Sequence, residues 1–179
     1  MRQVDGLSKR DLPLLREVHS QLEASIPEQS STGIVHGDYR LDNCIVDDEG
    51  QIAAVLDWEL CTLGDTRADL GTLIVYWAEP EDDFFPLTTP PTIVDGFARR
   101  RDLVEIYTKA AGEEVEGLEY FVAFSYWRLA CILEGVYARY SAAAMGKAVP
   151  KNLESFTRGV DRLTQRAADI LGGAPPFAA

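Results

Sequence analysis

Ile34-Val35-His36-Gly37-Asp38-Tyr39-Arg40-Leu41-Asp42-Asn43-Cys44-Ile45-Val46-Asp47-Asp48-Glu49-Gly50-Gln51-Ile52-Ala53-Ala54-Val55-Leu56-Asp57-Trp58-Glu59 is the stretch on which the reading of the fold turns. Three short apolar runs, Gly33–Val35, Cys44–Val46 and Ile52–Leu56, are rich in Val and Ile and bounded by polar clusters, which predicts short strands. Between the second and third lies Asp47-Asp48-Glu49-Gly50-Gln51, a turn sequence with a glycine free to adopt positive φ. The expected element is a hairpin with Val46 near Ile52. Counting outward from that pair brings Asn43 and Asp57 to the same open end, and Asp38 sits at the mouth of the loop that enters it.

One amide and two carboxylates at strand ends suit a particular chemistry. A hard cation such as Mg²⁺ takes oxygen ligands, one or two of them from protein, and an Asn carbonyl with an Asp carboxylate supplies these without excess negative charge. A carboxylate not used on the metal, Asp38, can then receive the proton of an attacking hydroxyl.

His36-Gly37-Asp38-Tyr39-Arg40-Leu41-Asp42-Asn43 followed by Leu56-Asp57-Trp58-Glu59 resembles the catalytic segment of the aminoglycoside phosphotransferase family, the kinase-like small-molecule kinases. The wording is most similar to the branch containing the kinase-like domain fused to some acyl-CoA dehydrogenases. By this resemblance Asp38 matches the catalytic aspartate, and Asn43 and Asp57 match the residues that bind Mg²⁺ and, through it, the ATP phosphates. His36 buttresses the loop, Gly37 stands where protein kinases have the arginine of His-Arg-Asp, and Asp69 braces the loop from a following helix. Similarity continues through Gly64–Leu70 and more loosely through Tyr126–Leu129 and Glu134–Tyr140. The eight-residue pattern with a correctly spaced Asp-Trp-Glu is a specific signal, whereas His-Gly-Asp alone is not.

The family implies an ATP- and Mg²⁺-dependent transfer of a phosphoryl group to the hydroxyl of a small molecule. It also implies a strand-rich N-terminal lobe with a phosphate-gripping lysine. None of Lys9, Lys109, Lys147 and Lys151 lies in a Val/Ile run, and there is no glycine-rich phosphate loop. The expected fold is therefore α+β and mostly helical: a kinase-like C-terminal lobe with a small catalytic hairpin and no N-terminal lobe. The alternative function is a non-catalytic binding or regulatory module. An absent lobe also predicts an exposed apolar patch by the hairpin, covered by self-association or by a partner lobe.

Composition limits the partners. With 17 basic and 29 acidic residues the net charge is −12, which argues against nucleic acid or anionic membrane. The three cysteines, Cys44, Cys61 and Cys131, are odd in number and show no Cys-x-x-Cys spacing, so they are expected as free thiols in a reducing, cytoplasmic setting. Met1–Arg10 lacks the apolar core of a signal peptide. No repeat or composition break divides residues 1–179, so one domain is expected, with a loose tail over 172–179.

The remaining pattern is helical. A helix is expected over Lys9–Ser25, capped by Ser8, with His19 on its surface or in packing rather than ligating. Others are expected over Thr66–Trp77 with Asp65 as cap, over Ala98–Ala111 stopped by Gly112, over Leu118–Tyr140 and over Asn152–Leu171. Glu79–Pro91, with four acids and four prolines in thirteen residues, reads as a loop. Asp95-Gly96-Phe97 spells the protein-kinase metal motif but lacks a preceding strand, so it is taken as coincidence. The charges of Leu118–Tyr140 exclude a membrane span, and its Arg128 and Glu134 must find partners or line a cleft, ion pairing being the expected role of Arg128 and substrate contact its alternative. Trp77, Trp127 and Glu134 mark the region in which acceptor contacts are expected.

Overall fold

The computed structural model describes residues 1–29, 32–82, 90–112, 114–142 and 153–177, with backbone alone at Arg2 and Gln3. The described chain is mostly helical, with four short strands in two antiparallel pairs. It divides into two compact units, one of residues 1–26 and 123–175 and the other of 27–122 and 176–179. No helix among the described residues is long and apolar enough to cross a membrane.

The first unit contains α1 (Arg2–Leu7), α2 (Pro13–Ala24), most of α5 (Leu118–Ser141) and α6 (Leu153–Leu171). Leu15, Val18 and Leu22 line the buried stripe of α2, which packs on α6, whose Val160, Leu163, Ala167 and Ile170 are buried. Within α5, Ala123, Leu129, Ala130 and Leu133 are all buried.

The expected helix over Lys9–Ser25 is corrected here. Pro13 occupies the first helical position of α2, where its missing N–H is harmless, so the helix starts there and the chain before it forms the separate α1. Ser8 does not start α2; it ends α1, its N–H donating to the Val4 carbonyl at 2.8 Å. Its hydroxyl donates to Glu134 at 2.5 Å and accepts the Arg10 N–H at 3.0 Å. Arg10 completes the arrangement with a 2.6 Å pair to Glu134, a carboxylate with no solvent exposure. Removing Arg10 would leave the Glu134 charge buried with only the Ser8 hydroxyl, whereas Arg10 is partly exposed and also pairs with Asp161 at 2.9 Å. Burial pushes the neighbouring Cys131 thiol up to about 11, which keeps it neutral.

The second unit carries the sheets. Strand β1 (Gly33–Val35) pairs with β4 (Thr62–Gly64), and β2 (Cys44–Val46) pairs with β3 (Ile52–Val55). The register is Cys44↔Val55, Ile45↔Ala54 and Val46↔Ile52, so Ala53 forms a bulge. Asp47 closes the turn by accepting the Glu49 and Gln51 N–H groups at 3.0 and 2.8 Å, and Gly50 has φ +79°. The hairpin and its Val46↔Ile52 pair thus match the sequence expectation. Strand β4 was not anticipated. It has three residues, two of them exposed, which is too short for an alternating pattern to register.

Helices α3 (Arg67–Tyr76) and α4 (Arg100–Ala111) complete this unit. Asp65 accepts the Arg67 N–H at 3.1 Å and also grips its guanidinium at 2.9 and 2.6 Å, so it acts from just outside the first turn of α3. Arg100, buried at the start of α4, donates to the Trp77 carbonyl at 2.7 Å and pairs with Asp82 at 2.5 Å. At the close crossing of α3 and the start of α5, a Cβ on Gly71 would sit 2.7 Å from the Phe121 carbonyl carbon, so only glycine fits. Gly112 ends α4 with φ +76°. Residues 83–89 of the proline-rich loop, Lys147, Lys151, Asn152 and the last two tail residues lie outside the described residues.

Candidate active site

The site is assembled on the loop that leaves β1. Asp69, in the first turn of α3, accepts the His36 N–H at 2.6 Å on one oxygen and the Gly37 N–H at 2.9 Å on the other. A carboxylate there also opposes the positive end of the α3 dipole. The loop is thereby tied to a helix end by its own main chain.

His36 is 2% exposed. Its Nε2 lies 2.7 Å from the Leu56 carbonyl, which requires Nε2 to carry the proton. Its Nδ1 then accepts the Asp38 N–H at 3.2 Å. Trp58 packs edge-on against the ring at 4.7 Å. The imidazole therefore links the Asp38 loop to the end of the hairpin. Gly37 has φ +84°, and a Cβ there would fall 2.9 Å from the Leu60 carbonyl oxygen. The backbone crossing at Leu60 leaves no room for any side chain at this position.

Asp38 is held on one side only. Its Oδ2 accepts from Asn43 Nδ2 at 3.1 Å and from Arg40 Nε at 3.2 Å, while its backbone carbonyl takes the other Asn43 amide hydrogen at 2.7 Å. Among the described residues its Oδ1 has no partner. Asn43, 7% exposed, closes a 3-10 turn over Leu41–Asn43, and both amide hydrogens are used on Asp38. Its side-chain carbonyl is left open among the described residues.

Asn43 also fixes the next piece of chain, because its main-chain carbonyl accepts the Leu56 N–H at 2.8 Å. Asp57 follows one residue on, with φ 66° and ψ 49°. It is the only non-glycine residue at positive φ among the described residues, a conformation that aspartate tolerates better than most. Its carboxylate is exposed and makes no hydrogen bond among the described residues. His36, Asp38, Asn43 and Asp69 thus form one hydrogen-bonded chain, which Asp57 joins only through the backbone of Leu56.

Sequence reasoning missed Arg40, Tyr76, Leu56 and Leu60. Arg40 was visible inside the motif, two residues from Asp38. Its platform is the Tyr76 ring, 5.0 Å from the guanidinium carbon, and no local pattern announces that pair. In the region where acceptor contacts are expected, the polar atoms already have partners within the protein. Trp77 donates its Nε1–H to the Ala98 carbonyl at 2.9 Å, Trp127 donates to the Leu15 carbonyl at 3.1 Å, and Glu134 is held by Ser8 and Arg10. Their polar atoms are used within the protein's own packing.

A family model described as "Phosphotransferase enzyme family" (APH) matches residues 1–112, which contain the whole constellation. Acyl-CoA dehydrogenase family member 11 of Gallus gallus is 30% identical over 94% of this chain and 22% of its own length. Homoserine kinase of Caulobacter vibrioides is 29% identical over 51% of this chain and 29% of its own. A crystal structure from Ralstonia eutropha, provisionally described as an aminoglycoside phosphotransferase, superposes with a TM-score of 0.77 at 26% identity. It covers 97% of this chain, which spans 53% of that neighbour, and the chain spans about a fifth of the acyl-CoA dehydrogenase relative (22%). The fold is that of a kinase-like lobe, and the chain belongs to the APH phosphotransferase enzyme family.

Proposed function

We propose that this chain carries the catalytic lobe of an ATP- and Mg²⁺-dependent phosphotransferase acting on a small-molecule hydroxyl. The observation that carries the reading is the asymmetry of Asp38. Both neighbouring side-chain donors converge on Oδ2, so Oδ1 is open to take the proton of an acceptor hydroxyl. The open Asn43 carbonyl and the exposed Asp57 carboxylate suit a hard divalent cation, two protein oxygens being a normal share for Mg²⁺. When bound, the metal neutralises charge on the transferred phosphoryl group. His36 and Asp69 keep the loop that carries Asp38 and the hairpin end that precedes Asp57 in fixed relation.

Phosphoryl transfer is tested with γ-labelled ATP and a panel of amino-alcohols, hydroxy amino acids including homoserine, and aminoglycosides. Label is expected to pass to at least one acceptor in the presence of Mg²⁺. Failure across the panel by the folded chain, even when supplied with the rest of a homologous enzyme, sinks the reading in favour of a non-catalytic module. That second reading draws on the lysines: both described ones, Lys9 and Lys109, are exposed and outside the strands.

The partner proposal rests on the strands. Ile34 and Leu63 face each other across β1 and β4 and are 66% and 75% exposed, while Ile45, Val46, Ile52, Leu56, Trp58 and Leu60 are each about half exposed. So many exposed large apolar side chains within one segment favour a covering polypeptide, either a strand-rich lobe or a second copy. Sedimentation of the wild type beside Ile34→Glu/Leu63→Glu separates the two. Self-association abolished by the substitutions means a second copy, and a monomer that binds a hydrophobic dye means another lobe. A monomer that binds no dye refutes both.

A further inference from the structure

Arg40 is the one side chain of the motif that touches Asp38 without an assigned task. Its Nε donates to Asp38 Oδ2 at 3.2 Å, and Nη1 donates to Asp42. The Tyr76 ring lies under the guanidinium at 5.0 Å, and the Arg40 carbonyl is held by the Asn43 N–H at 2.9 Å. Main chain, two carboxylates and an aromatic face therefore fix the guanidinium in one orientation.

We propose that Arg40 is the positioning residue that fixes the rotation of the Asp38 carboxylate, so that one oxygen stays bonded within the loop and the other faces the acceptor. The inference rests on the reading that Asp38 receives the hydroxyl proton. The carboxylate turns about a single bond whose torsion is broad, so its plane is not fixed by the side chain itself. Asn43 alone offers a single side-chain donor at 3.1 Å. Adding the Arg40 Nε–H makes Oδ2 the doubly bonded oxygen and Oδ1 the open one. A lysine cannot reproduce this. It has one terminal nitrogen, whereas Arg40 uses Nε for Asp38 and Nη1 for Asp42 while its plane lies over Tyr76.

The contact is not explained as a surface ion pair alone. The Arg40 and Asp38 side chains are 25% and 24% exposed, so neither moves freely in solvent. The aromatic platform is contributed by the far end of α3, 36 residues away in the chain.

The test uses the full chain with Arg40→Met, which keeps an unbranched stem but removes charge and donors, and with Arg40→Lys. The first readout is the pair of Asn43 side-chain amide protons, assigned by their loss in Asn43→Ser. One of them bonds the Asp38 carbonyl and the other bonds Oδ2. In Arg40→Met the second shifts toward the position of a more weakly bonded amide while the first stays, and in Arg40→Lys it shifts partway. The second readout is Mg²⁺-dependent ATP turnover. Misorientation of the base lowers kcat about tenfold in Arg40→Met, with KM for ATP changed less than about twofold.

Unchanged amide resonances in Arg40→Met, or an unchanged kcat where Asp38→Asn abolishes turnover, overturn the inference. Retention of turnover in Asp38→Asn instead defeats the proton-acceptor reading and leaves the orientation of Asp38 to be decided by the amide protons. Where the chain turns over no nucleotide by itself, those two resonances alone decide it.

Discussion

Asp38→Asn lowers phosphoryl transfer by a factor of about 10² to 10⁴, the range for loss of a positioned general base. Asparagine preserves the shape of the side chain, and with its amide oxygen at the Oδ2 position it still accepts from Arg40 Nε and Asn43 Nδ2, which lie 3.2 and 3.1 Å away. The group presented to the acceptor then becomes an amide NH₂, which cannot receive a proton. The loss therefore falls on kcat, while nucleotide affinity, resting on Asn43 and Asp57, stays within a few-fold. A variant that loses affinity and turnover together would show that Asp38 serves the nucleotide instead. Steady-state kinetics with a responsive acceptor, alongside thermal unfolding to verify the fold, distinguishes the two.

Asp69→Ala has the largest expected effect on stability. Its two oxygens accept the main-chain N–H groups of His36 and Gly37 at 2.6 and 2.9 Å, so alanine leaves two donors without partners in a part-buried loop. Hydrogen bonds to a charged group contribute about 1.5–3 kcal/mol each, and partial solvent access reduces the sum to about 2–4 kcal/mol. For a chain of this size that is a fall in melting temperature of roughly 5–15 °C. Asp69→Asn is expected to restore less than half. Its single oxygen can serve one N–H, and its NH₂ then confronts the other. A melting temperature within 2 °C of wild type for Asp69→Ala, measured by calorimetry, would show that solvent replaces the carboxylate and that the brace is dispensable; that threshold is about 1 kcal/mol or less.

The contrast between what was readable in the sequence and what was not follows from the range of each interaction. The hairpin was legible because its determinants are adjacent: two Val/Ile runs, an Asp-rich turn and a glycine at φ +79°. Helices α5 and α6 were legible from long apolar patterns. The break before α2 was also written in the chain at Pro13, but reading Ser8 as a cap drew the helix too far toward the N-terminus. Strand β4 escaped because three residues cannot display a period.

At the candidate site, counting residues placed Asn43 and Asp57 at one hairpin end. The structure gives this a backbone form in the 2.8 Å bond from Leu56 to Asn43. The requirement for glycine at position 37 could not be read, since it arises from the Leu60 carbonyl, 23 residues away in the chain. Which groups hold the polar atoms of Trp77, Trp127 and Glu134 could not be read for the same reason. An aromatic or acidic residue in an apolar helix signals that a partner exists, and only the tertiary fold says whether that partner is a ligand or another part of the chain.

The central claim, that Asn43 and Asp57 hold the metal of a nucleotide site, is met most directly by calorimetric titration of ATP into the full chain with and without Mg²⁺, repeated on Asp57→Asn. Asparagine is the right substitution because it tolerates the left-handed backbone of position 57 (φ 66°), so the charge changes while the strain does not. The account predicts binding that requires Mg²⁺ and weakens at least about tenfold in Asp57→Asn, the size of effect expected when a direct charged ligand is lost, at an unchanged melting temperature. Equal binding in the presence of EDTA, equal binding by Asp57→Asn, or no binding by the folded wild type would contradict it.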